Sequence, residues 1–365
     1  PVGGTYKTLS EVEPRIAINA TNTPGDNDGT PSVFKITVAG SYYLPANVTV
    51  ASGRIGIEIE ASPVTIDLRG FVVHGQPGAG DGIGSSLSFG TGAMIIRNGS
   101  ITNCANGIMA NQPNTVIEGI AVDDSVGWGI YAGSSAVVSH CVVSGGESGI
   151  RVGFNSNVLD CAVSNTAAVG ITTYNGSTVT NCSSFGNGTL GISAGIGNTI
   201  AGCSGDNNLT DGISTGNGCT ITGCSANSNH NSGLFVSFYC SAFDCTVTSN
   251  GFDGIAAGQG CQLRGNTCNG NGTDPAGGAG IHVTATDCRL EGNVCNQNDR
   301  GIDIDFAGNL VIRNSCAGNT TDWDIVANNV VGPIIDRRAP ASAAVVGFSF
   351  AGSLGSIDPN ANFSY

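Results

Sequence analysis

Five ionisable residues in the C-terminal third of the sequence have types and spacings that could support chemistry. Asp303 and Asp305 are two residues apart, Arg300 stands just before them, and His282 precedes Asp303 by 21 residues, with Asp253 further back. Paired carboxylates can bind Ca²⁺ or act as acid and base in the hydrolysis of a glycosidic bond. Arg300 or His282 could instead abstract a proton in an elimination reaction. These five are the candidate catalytic residues, and Asp303 and Asp305 are the candidate metal ligands.

An internal repeat supplies the elements that must position these residues. A glycine followed by an aliphatic residue recurs about every 21 residues. Such a period is typical of solenoids, and the short alternating segments, the abundant glycine and asparagine and the missing 3.6-residue pattern favour a β-helix over helical repeats. The sequence therefore predicts an all-β fold, a single-stranded right-handed parallel β-helix with coils of about 21 residues. The doublets are Gly107-Ile108, Gly129-Ile130, Gly149-Ile150, Gly170-Ile171, Gly191-Ile192, Gly212-Ile213, Gly233-Leu234, Gly254-Ile255, Gly280-Ile281 and Gly301-Ile302.

Alternation along each strand assigns side chains to the inside or the outside of the coil. The aliphatic residue of each doublet points inward, and the residue after it points outward. His282 and Asp303 then lie on adjacent coils, and Asp305 shares the face of Asp303 at about 7 Å. The predicted outward column is Met109, Tyr131, Arg151, Thr172, Ser193, Ser214, Phe235, Ala256, His282 and Asp303.

The same charges also have a simpler interpretation. Most of the outward column carries Thr, Ser and Ala, so the charged residues near its C-terminal end can be exposed groups that keep the protein in solution. Residues Pro24 to Gly29 resemble part of a Ca²⁺ loop, but the later bidentate Glu is missing, and a turn rich in Asn and Asp explains them more simply. No cofactor is expected, apart from a possible Ca²⁺ ion.

Fourteen cysteines and a series of asparagines follow the same period. Cysteines in register on neighbouring coils place their Cβ atoms about 4.8 Å apart, longer than a disulfide favours, so we expect free buried thiols that act as small apolar core residues. No CxxC pair is present, which argues against a zinc site at the cysteines. The asparagines predict a stacked structural ladder; they are Asn187, Asn208, Asn229, Asn250, Asn271, Asn298 and Asn319.

Both ends of the chain depart from the repeat. Thr8 to Glu11 matches a capping box, and Leu9, Val12 and Ile16 have helical spacing, which predicts a short N-terminal helix that caps the open core. Beyond about Asn329 the period fails. We therefore expect a capping segment at 1–49, the β-helix at 50–326, and a C-terminal cap or tail at 327–365 that closes or packs alongside the last coil.

Composition narrows the classes of partner. The chain has 27 acidic and 13 basic residues and a formal net charge of −14, which disfavours nucleic acid and anionic membranes. No apolar run approaches the roughly 20 residues of a membrane-spanning helix. The chain begins at Pro1 without an initiator Met, so we expect a processed or trimmed chain. Scarce lysine with abundant Asn, Thr, Ser and Gly suits a secreted or cell-surface bacterial protein.

The coils, the glycine doublets and the asparagine turns together resemble the right-handed parallel β-helix repeat superfamily, which includes pectate lyases, other polysaccharide lyases and phage tailspikes. The resemblance covers about residues 50 to 325. The opening, TYKTLSEVEPRIAINATNTPGD followed by FKITVAGSYYLPANV, is similar to the start of a group of secreted bacterial β-helix proteins without an assigned activity. The resemblance implies that the outward column is the face on which a polysaccharide would lie.

Clustered aromatic residues suggest a second kind of function. Phe235, Phe238, Tyr239 and Phe243 lie within one coil, and alternation places at least one of the first two on the surface. We expect these four to form an interface between copies of the chain. The first hypothesis is therefore a non-enzymatic structural or cell-surface protein that assembles into a fibre or layer. The alternatives are a polysaccharide lyase or glycoside hydrolase acting on an acidic glycan, and a protein that binds glycans without turnover.

Overall fold

A computed structural model describes residues 14–29, 31–87, 92–273, 277–336 and 358–365. Throughout these ranges the regular structure is β-strand, and no helix occurs in them, so none there could cross a membrane. Neighbouring strands pair in parallel, about one coil of 21 residues apart, which confirms the predicted β-helix. The chain divides into two compact units, Pro1–Thr166 and Ala167–Tyr365.

The first unit contains two sets of parallel strands. One sheet pairs β2, β5, β8, β10, β12 and β15 in that order, and the other strands stack on the remaining sides of the coils. The strands are β1 (Ile16–Ala17), β2 (Ser32–Ile36), β3 (Gly40–Tyr43), β4 (Val48–Val50), β5 (Ile55–Ile59), β6 (Val64–Asp67), β7 (Val72–Gly75), β8 (Ile83–Ser85), β9 (Met94–Thr102), β10 (Ile108–Ala110), β11 (Val116–Asp123), β12 (Trp128–Ala132), β13 (Val137–Ser139), β14 (Val142–Ser144), β15 (Ser148–Val152), β16 (Asn157–Leu159) and β17 (Ala162–Ser164).

In the second unit each full coil contributes three short strands. We call the sheet formed by β18, β21, β24, β27, β30, β33, β36 and β39 the front sheet. The strands are β18 (Ile171–Thr173), β19 (Thr178–Thr180), β20 (Ser183–Phe185), β21 (Ile192–Ala194), β22 (Thr199–Ala201), β23 (Ser204–Asp206), β24 (Ile213–Thr215), β25 (Thr220–Thr222), β26 (Ser225–Asn227), β27 (Leu234–Val236), β28 (Ser241–Phe243), β29 (Thr246–Thr248), β30 (Ile255–Ala257), β31 (Gln262–Arg264), β32 (Thr267–Asn269), β33 (Ala279–Val283), β34 (Arg289–Glu291), β35 (Val294–Asn296), β36 (Arg300–Ile304), β37 (Leu310–Ile312), β38 (Ser315–Ala317), β39 (Thr321–Ile325), β40 (Val330–Val331), β41 (Ile334–Asp336) and β42 (Asn362–Ser364).

The core of each unit consists of aliphatic side chains stacked in register. Ile213, Leu234 and Ile255 follow one another on adjacent front-sheet strands, and all three are fully buried. Burying one such side chain contributes roughly 1.5–3 kcal/mol. Because the glycine of each doublet has no Cβ, it leaves space for core groups. A Cβ on Gly233 would lie 2.2 Å from Val247 Cγ1, for example.

The predicted asparagine ladder is present, and all of its members are buried except the half-buried Asn319. The Asn208 backbone N–H and side-chain Nδ2 both donate to Asn229 Oδ1, at 2.9 and 3.1 Å, and Asn229 repeats the pattern with Asn250. From Asn208 onward, each Nδ2 also donates to a backbone carbonyl, as Asn229 does to Gly205 at 2.8 Å. The ladder therefore supplies hydrogen-bond partners for backbone N–H and carbonyl groups that are buried at the turns of the coils.

All fourteen cysteines are buried and none forms a disulfide, as predicted, but most also make hydrogen bonds. The backbone N–H of Cys219 donates to Cys240 Sγ at 3.2 Å, and Cys240 Sγ lies 3.2 Å from the Gly216 carbonyl, to which it donates. These are the two bonds an asparagine makes in the ladder, with the thiol as a weaker donor and acceptor. In the column that holds Cys219 and Cys240, asparagines flank the cysteines on both sides; the residues are Asn198, Cys219, Cys240, Cys261, Cys288, Asn309 and Asn329.

The two ends only partly match the expectations from the sequence. Residues 1–13, with most of the predicted helix, lie outside the described residues, but Ile16 is in a strand, where it pairs with Tyr42 of β3. Placing Ile16 on a helix was therefore wrong, because backbone pairing to the next coil satisfies its polar groups. At the other end, β42 pairs with β38 and β41. The division at residues 50 and 327 stays a prediction.

Candidate functional site

The front sheet of the second unit brings the candidate residues onto one outward face. His282 in β33 pairs in register with Asp303 in β36, and Asp303 pairs with Asp324 in β39. Their neighbours along the strands, such as Ile302 and Ile304, are buried in the core. Alternation therefore directs the three ionisable side chains outward, one above another.

Asp253 orients the His282 ring. It stands just before the glycine doublet of its coil, where its Oδ1 accepts the Ala279 backbone N–H at 2.8 Å and its Oδ2 accepts His282 Nδ1–H at 3.0 Å. This leaves His282 Nε2 directed at two other carboxylates, with Asp305 Oδ2 at 3.1 Å and Asp303 Oδ2 at 3.9 Å. A carboxylate on one ring nitrogen holds an imidazole in place and increases its basicity.

These carboxylates set the charge of His282. The hydrogen bond that His282 donates to Asp253 is the main cause that raises the pKa of His282 to about 9; Asp305 and Asp303 add to this rise, and burial opposes it. His282 is therefore an imidazolium at neutral pH, and both of its ring nitrogens donate.

Asp303 and Asp305 differ in environment although they are two residues apart. The Asp303 side chain is 5% exposed and accepts a bond from Arg300 Nη1, whereas Asp305 lies just past the end of β36 and is 50% exposed. Burial raises the pKa of the Asp303 carboxyl, while Arg300 and His282 act against that rise. The site thus holds two carboxyl groups with opposite access to water.

The structure brings together all five candidates named from the sequence, namely Asp253, His282, Arg300, Asp303 and Asp305. It adds Asp324, whose Oδ2 lies 3.7 Å from Arg300 Nε. The sequence could have predicted Asp324 as a site residue, because it follows Asp303 at the repeat interval of 21 residues. The contact between Asp253 and His282 had no such signal, since an insertion separates their coils.

One set of atoms in the site could hold an ion. His282 Nε2 and one oxygen from each of Asp303 and Asp305 lie within 4.8 Å of one another. Calcium, however, takes about six to eight oxygen ligands, and here the carboxylates of Asp303 and Asp305 already accept hydrogen bonds from Arg300 and His282. The donor set does not favour Ca²⁺, and a metal at Asp303 and Asp305 stays a prediction.

A second charged cluster lies in the first unit, around the loop that resembles part of a Ca²⁺ site. Lys35 Nζ donates to Asp26 at 2.6 Å, to Asp28 at 3.0 Å and to Glu60 at 2.7 Å. The carboxylates of the loop are thus bound by the ammonium group of Lys35, which agrees with a structural turn.

The four predicted interface residues do not share one surface. Phe235 occupies the outward column of the front sheet between Ser214 and Ala256, and Phe238 and Tyr239 lie in the turn that follows β27. Phe243 lies in β28 of another sheet, beneath the Arg264 guanidinium at 5.2 Å from its ring centre. The exposed fractions of Phe235, Phe238 and Tyr239 are 46%, 48% and 65%.

Comparison with known proteins identifies the fold. Residues 35–183 match the family described as right handed beta helix region, and no curated protein sequence matches the chain. Among solved structures, the A-module of mannuronan C-5 epimerase AlgE4 from Azotobacter vinelandii is similar, with 14% identity, a TM-score of 0.55, and 80% of this chain and 91% of that one covered.

Two other solved structures are similar at the same level. The periplasmic alginate epimerase AlgG has 12% identity and a TM-score of 0.55, with 82% and 83% of the two chains covered. A tailspike protein of E. coli bacteriophage HK620, solved in complex with a pentasaccharide, has 14% identity and a TM-score of 0.50, with 82% and 64% covered. At such identities the likeness shows the right-handed parallel β-helix fold alone.

Proposed function

We propose that the chain is a glycan-acting enzyme that cleaves a glycosidic bond on the front sheet of its second unit. One observation carries the proposal: the reactive atoms of His282, Asp303 and Asp305 lie within 4.8 Å of one another on an outward face. Glycoside hydrolysis needs two carboxyl groups with different pKa values, one to donate a proton and one to attack or to activate water.

The environments of the two carboxyl groups assign their roles. Asp303 is buried and its pKa is raised, so it is the general acid that protonates the leaving oxygen. Asp305 is open to water and accepts a hydrogen bond from His282, so we assign it the role of nucleophile or base. One oxygen of each lies within 4.8 Å of the other, which fits the roughly 5 Å spacing of hydrolases that retain configuration better than the wider spacing of those that invert it. Asp253 positions His282 and is not itself catalytic.

The similar structures support a glycan as the class of substrate. Two of them are named as epimerases of mannuronan or alginate, and the third was solved with a bound pentasaccharide. A glycan partner and a location outside the cytoplasm, secreted or at the cell surface, are thus part of the proposal.

Activity is tested by incubating the chain with a panel of neutral, amino and uronate polysaccharides and measuring new reducing ends. Asp303→Asn and Asp305→Asn should each lower the rate by about 100-fold or more, because each removes one proton-transfer or covalent step. The matched control is Asp287→Asn, which changes an exposed carboxylate outside the site and should leave the rate unchanged.

The products separate the possible reactions. Reducing ends without ultraviolet absorbance identify a hydrolase, whereas unsaturated ends identify a lyase and contradict the assignment of Asp303 as the acid and Asp305 as the nucleophile or base. Binding without any turnover would identify a glycan-binding protein. If no member of the panel is cleaved, or both variants match the native chain, the enzyme proposal is wrong.

Self-association into a fibre or surface layer is the second candidate function. It depends on the exposure of Phe235, Phe238 and Tyr239, since burying such rings between copies would be favourable. We give it second place because the charged site gives the front sheet chemistry that a purely structural role does not require.

A further inference from the structure

The cations of the site are already bound by its own acids. Arg300 lies between Asp303 and Asp324, and His282 lies between Asp253 and Asp305. Four carboxyl groups thus face two cations, and the site keeps an excess of negative charge even when Asp303 is protonated. A carboxylate on the substrate would be repelled at the short distances that catalysis requires.

Away from the charged cluster, the outward column of the front sheet carries no charge for several coils. Ser193, Ser214, Phe235 and Ala256 follow one another in register before His282. Phe235 lies two coils from His282, or roughly 10 Å at the spacing of paired strands. This distance suits a polymer that occupies the site and the aromatic ring together.

The turn beside Phe235 presents two more rings on a glycine surface. A Cβ on Gly258 would lie 2.8 Å from Phe238 Cδ1, and a Cβ on Gly260 would lie 2.5 Å from Tyr239 Cδ1. Each ring therefore rests against the backbone of the next coil, which any larger residue would prevent. The sides turned away from the backbone stay open to solvent, with 48% and 65% of the side chains exposed. Rings held in this way lose little entropy on binding.

We infer that the substrate is a polysaccharide without carboxylate groups, and that its chain runs from the charged site across Phe235, with Phe238 and Tyr239 beside it. The inference rests on the proposed function. It replaces the acidic glycan of the alternative hypothesis from the sequence, because every cation among the described residues of the site is already bound to a carboxylate. Exposed aromatic faces bind the apolar faces of neutral sugar rings and need no charge.

The test is affinity electrophoresis of the full chain in gels that contain galactomannan, mixed-linkage glucan, alginate or polygalacturonate. We expect retardation in at least one neutral gel and none in the two uronate gels. The double variant Phe235→Ala, Phe238→Ala should weaken retardation about tenfold or more. The matched control is Phe185→Ala, which removes a ring that is 49% exposed on another sheet and should have no effect.

Several outcomes would overturn the inference: stronger retardation by a uronate polymer, none in any gel, or equal effects of the double variant and the control. A double variant that changes the sedimentation coefficient without changing retardation would assign the rings to a second copy. Because retardation needs no turnover, failure of the enzyme proposal is separate. Cleavage of alginate would refute the inference of a neutral substrate and support the proposed enzyme function. Retardation in a neutral gel without cleavage would support binding of a neutral polysaccharide and refute the enzyme function.

Discussion

At the scale of single residues, the site depends on the hydrogen bond that His282 donates to Asp253. His282 has one ring nitrogen on Asp253 and the other directed at Asp305 and Asp303, with distances of 3.0, 3.1 and 3.9 Å. The ring is 24% exposed, so water screens these interactions only in part. The imidazolium therefore links an acid of the coil before its own with two acids of the coil after it.

The first prediction at this scale concerns the charge of His282. Nitrogen-detected NMR titration of the histidine rings should show one ring with a pKa of about 9. Asp253→Asn should move this pKa down towards the ordinary value of about 6.5, because the main cause of the rise is removed. Asp287→Asn should leave the titration unchanged. A pKa that stays near 9 in Asp253→Asn would show that Asp253 is not the principal partner.

The same shift predicts how stability depends on pH. The folded pKa of His282, about 9, lies above the unfolded value of about 6.5. Its contribution to stability is thus fully present below about pH 6.5 and is lost as the pH rises through 9. Urea denaturation should show that the free energy of unfolding falls less between pH 6 and pH 10 for His282→Gln than for the native chain. Equal losses would mean that His282 does not titrate in this window.

At the scale of elements, the columns in the core serve two different purposes. Cys240 accepts a backbone N–H and donates to a carbonyl, like the asparagines of its column. Cys295 instead pairs in register with Cys268 and Cys316, in the column that Val247 occupies one coil earlier. Thiols with the same burial are therefore polar links in one column and apolar filling in the other.

Exchanging residues between columns tests this distinction. Cys240→Ala should destabilise the chain by about 1–3 kcal/mol, because it leaves the buried N–H of Cys219 without an acceptor. Cys240→Asn should cost less than Cys240→Ala, since asparagine makes both bonds elsewhere in that column. In the apolar column the order should reverse, with Cys295→Val tolerated and Cys295→Asn destabilising. The measurement is the midpoint of chemical denaturation under reducing conditions, and the same order in both columns would contradict the distinction.

At the scale of the whole molecule, charge and exposed apolar surface act against each other. The net charge of −14 opposes close approach between copies, whereas the rings of Phe235, Phe238 and Tyr239 favour it. The balance between charge repulsion and apolar attraction depends on the salt concentration, because salt screens only the repulsion.

Self-association should therefore increase with ionic strength. Sedimentation velocity at low and high salt should show larger species at high salt, and Phe235→Ser with Phe238→Ser should reduce them while the circular dichroism spectrum stays the same. Phe185→Ser on another sheet is the control. A monomer at high concentration under both conditions would exclude the fibre hypothesis and favour glycan binding as the role of these rings.

The sequence by itself determined the repeat and everything that depends on register. Its period predicted the inward aliphatic columns, the asparagine ladder, the free thiols, and the pairing of His282 with Asp303 on adjacent strands. These follow from the backbone, because a parallel ladder with alternating side chains leaves one register that buries the apolar face.

Only the tertiary structure decided which side chains touch across coils and beyond strand ends. The contact of Asp253 with His282 spans an insertion, Asp305 lies after its strand, and Phe243 belongs to a different sheet from Phe235. Nor does the period reveal that Cys240 accepts a hydrogen bond. Such contacts depend on turn geometry, rotamers and local charge, which vary from coil to coil while the backbone repeat stays the same.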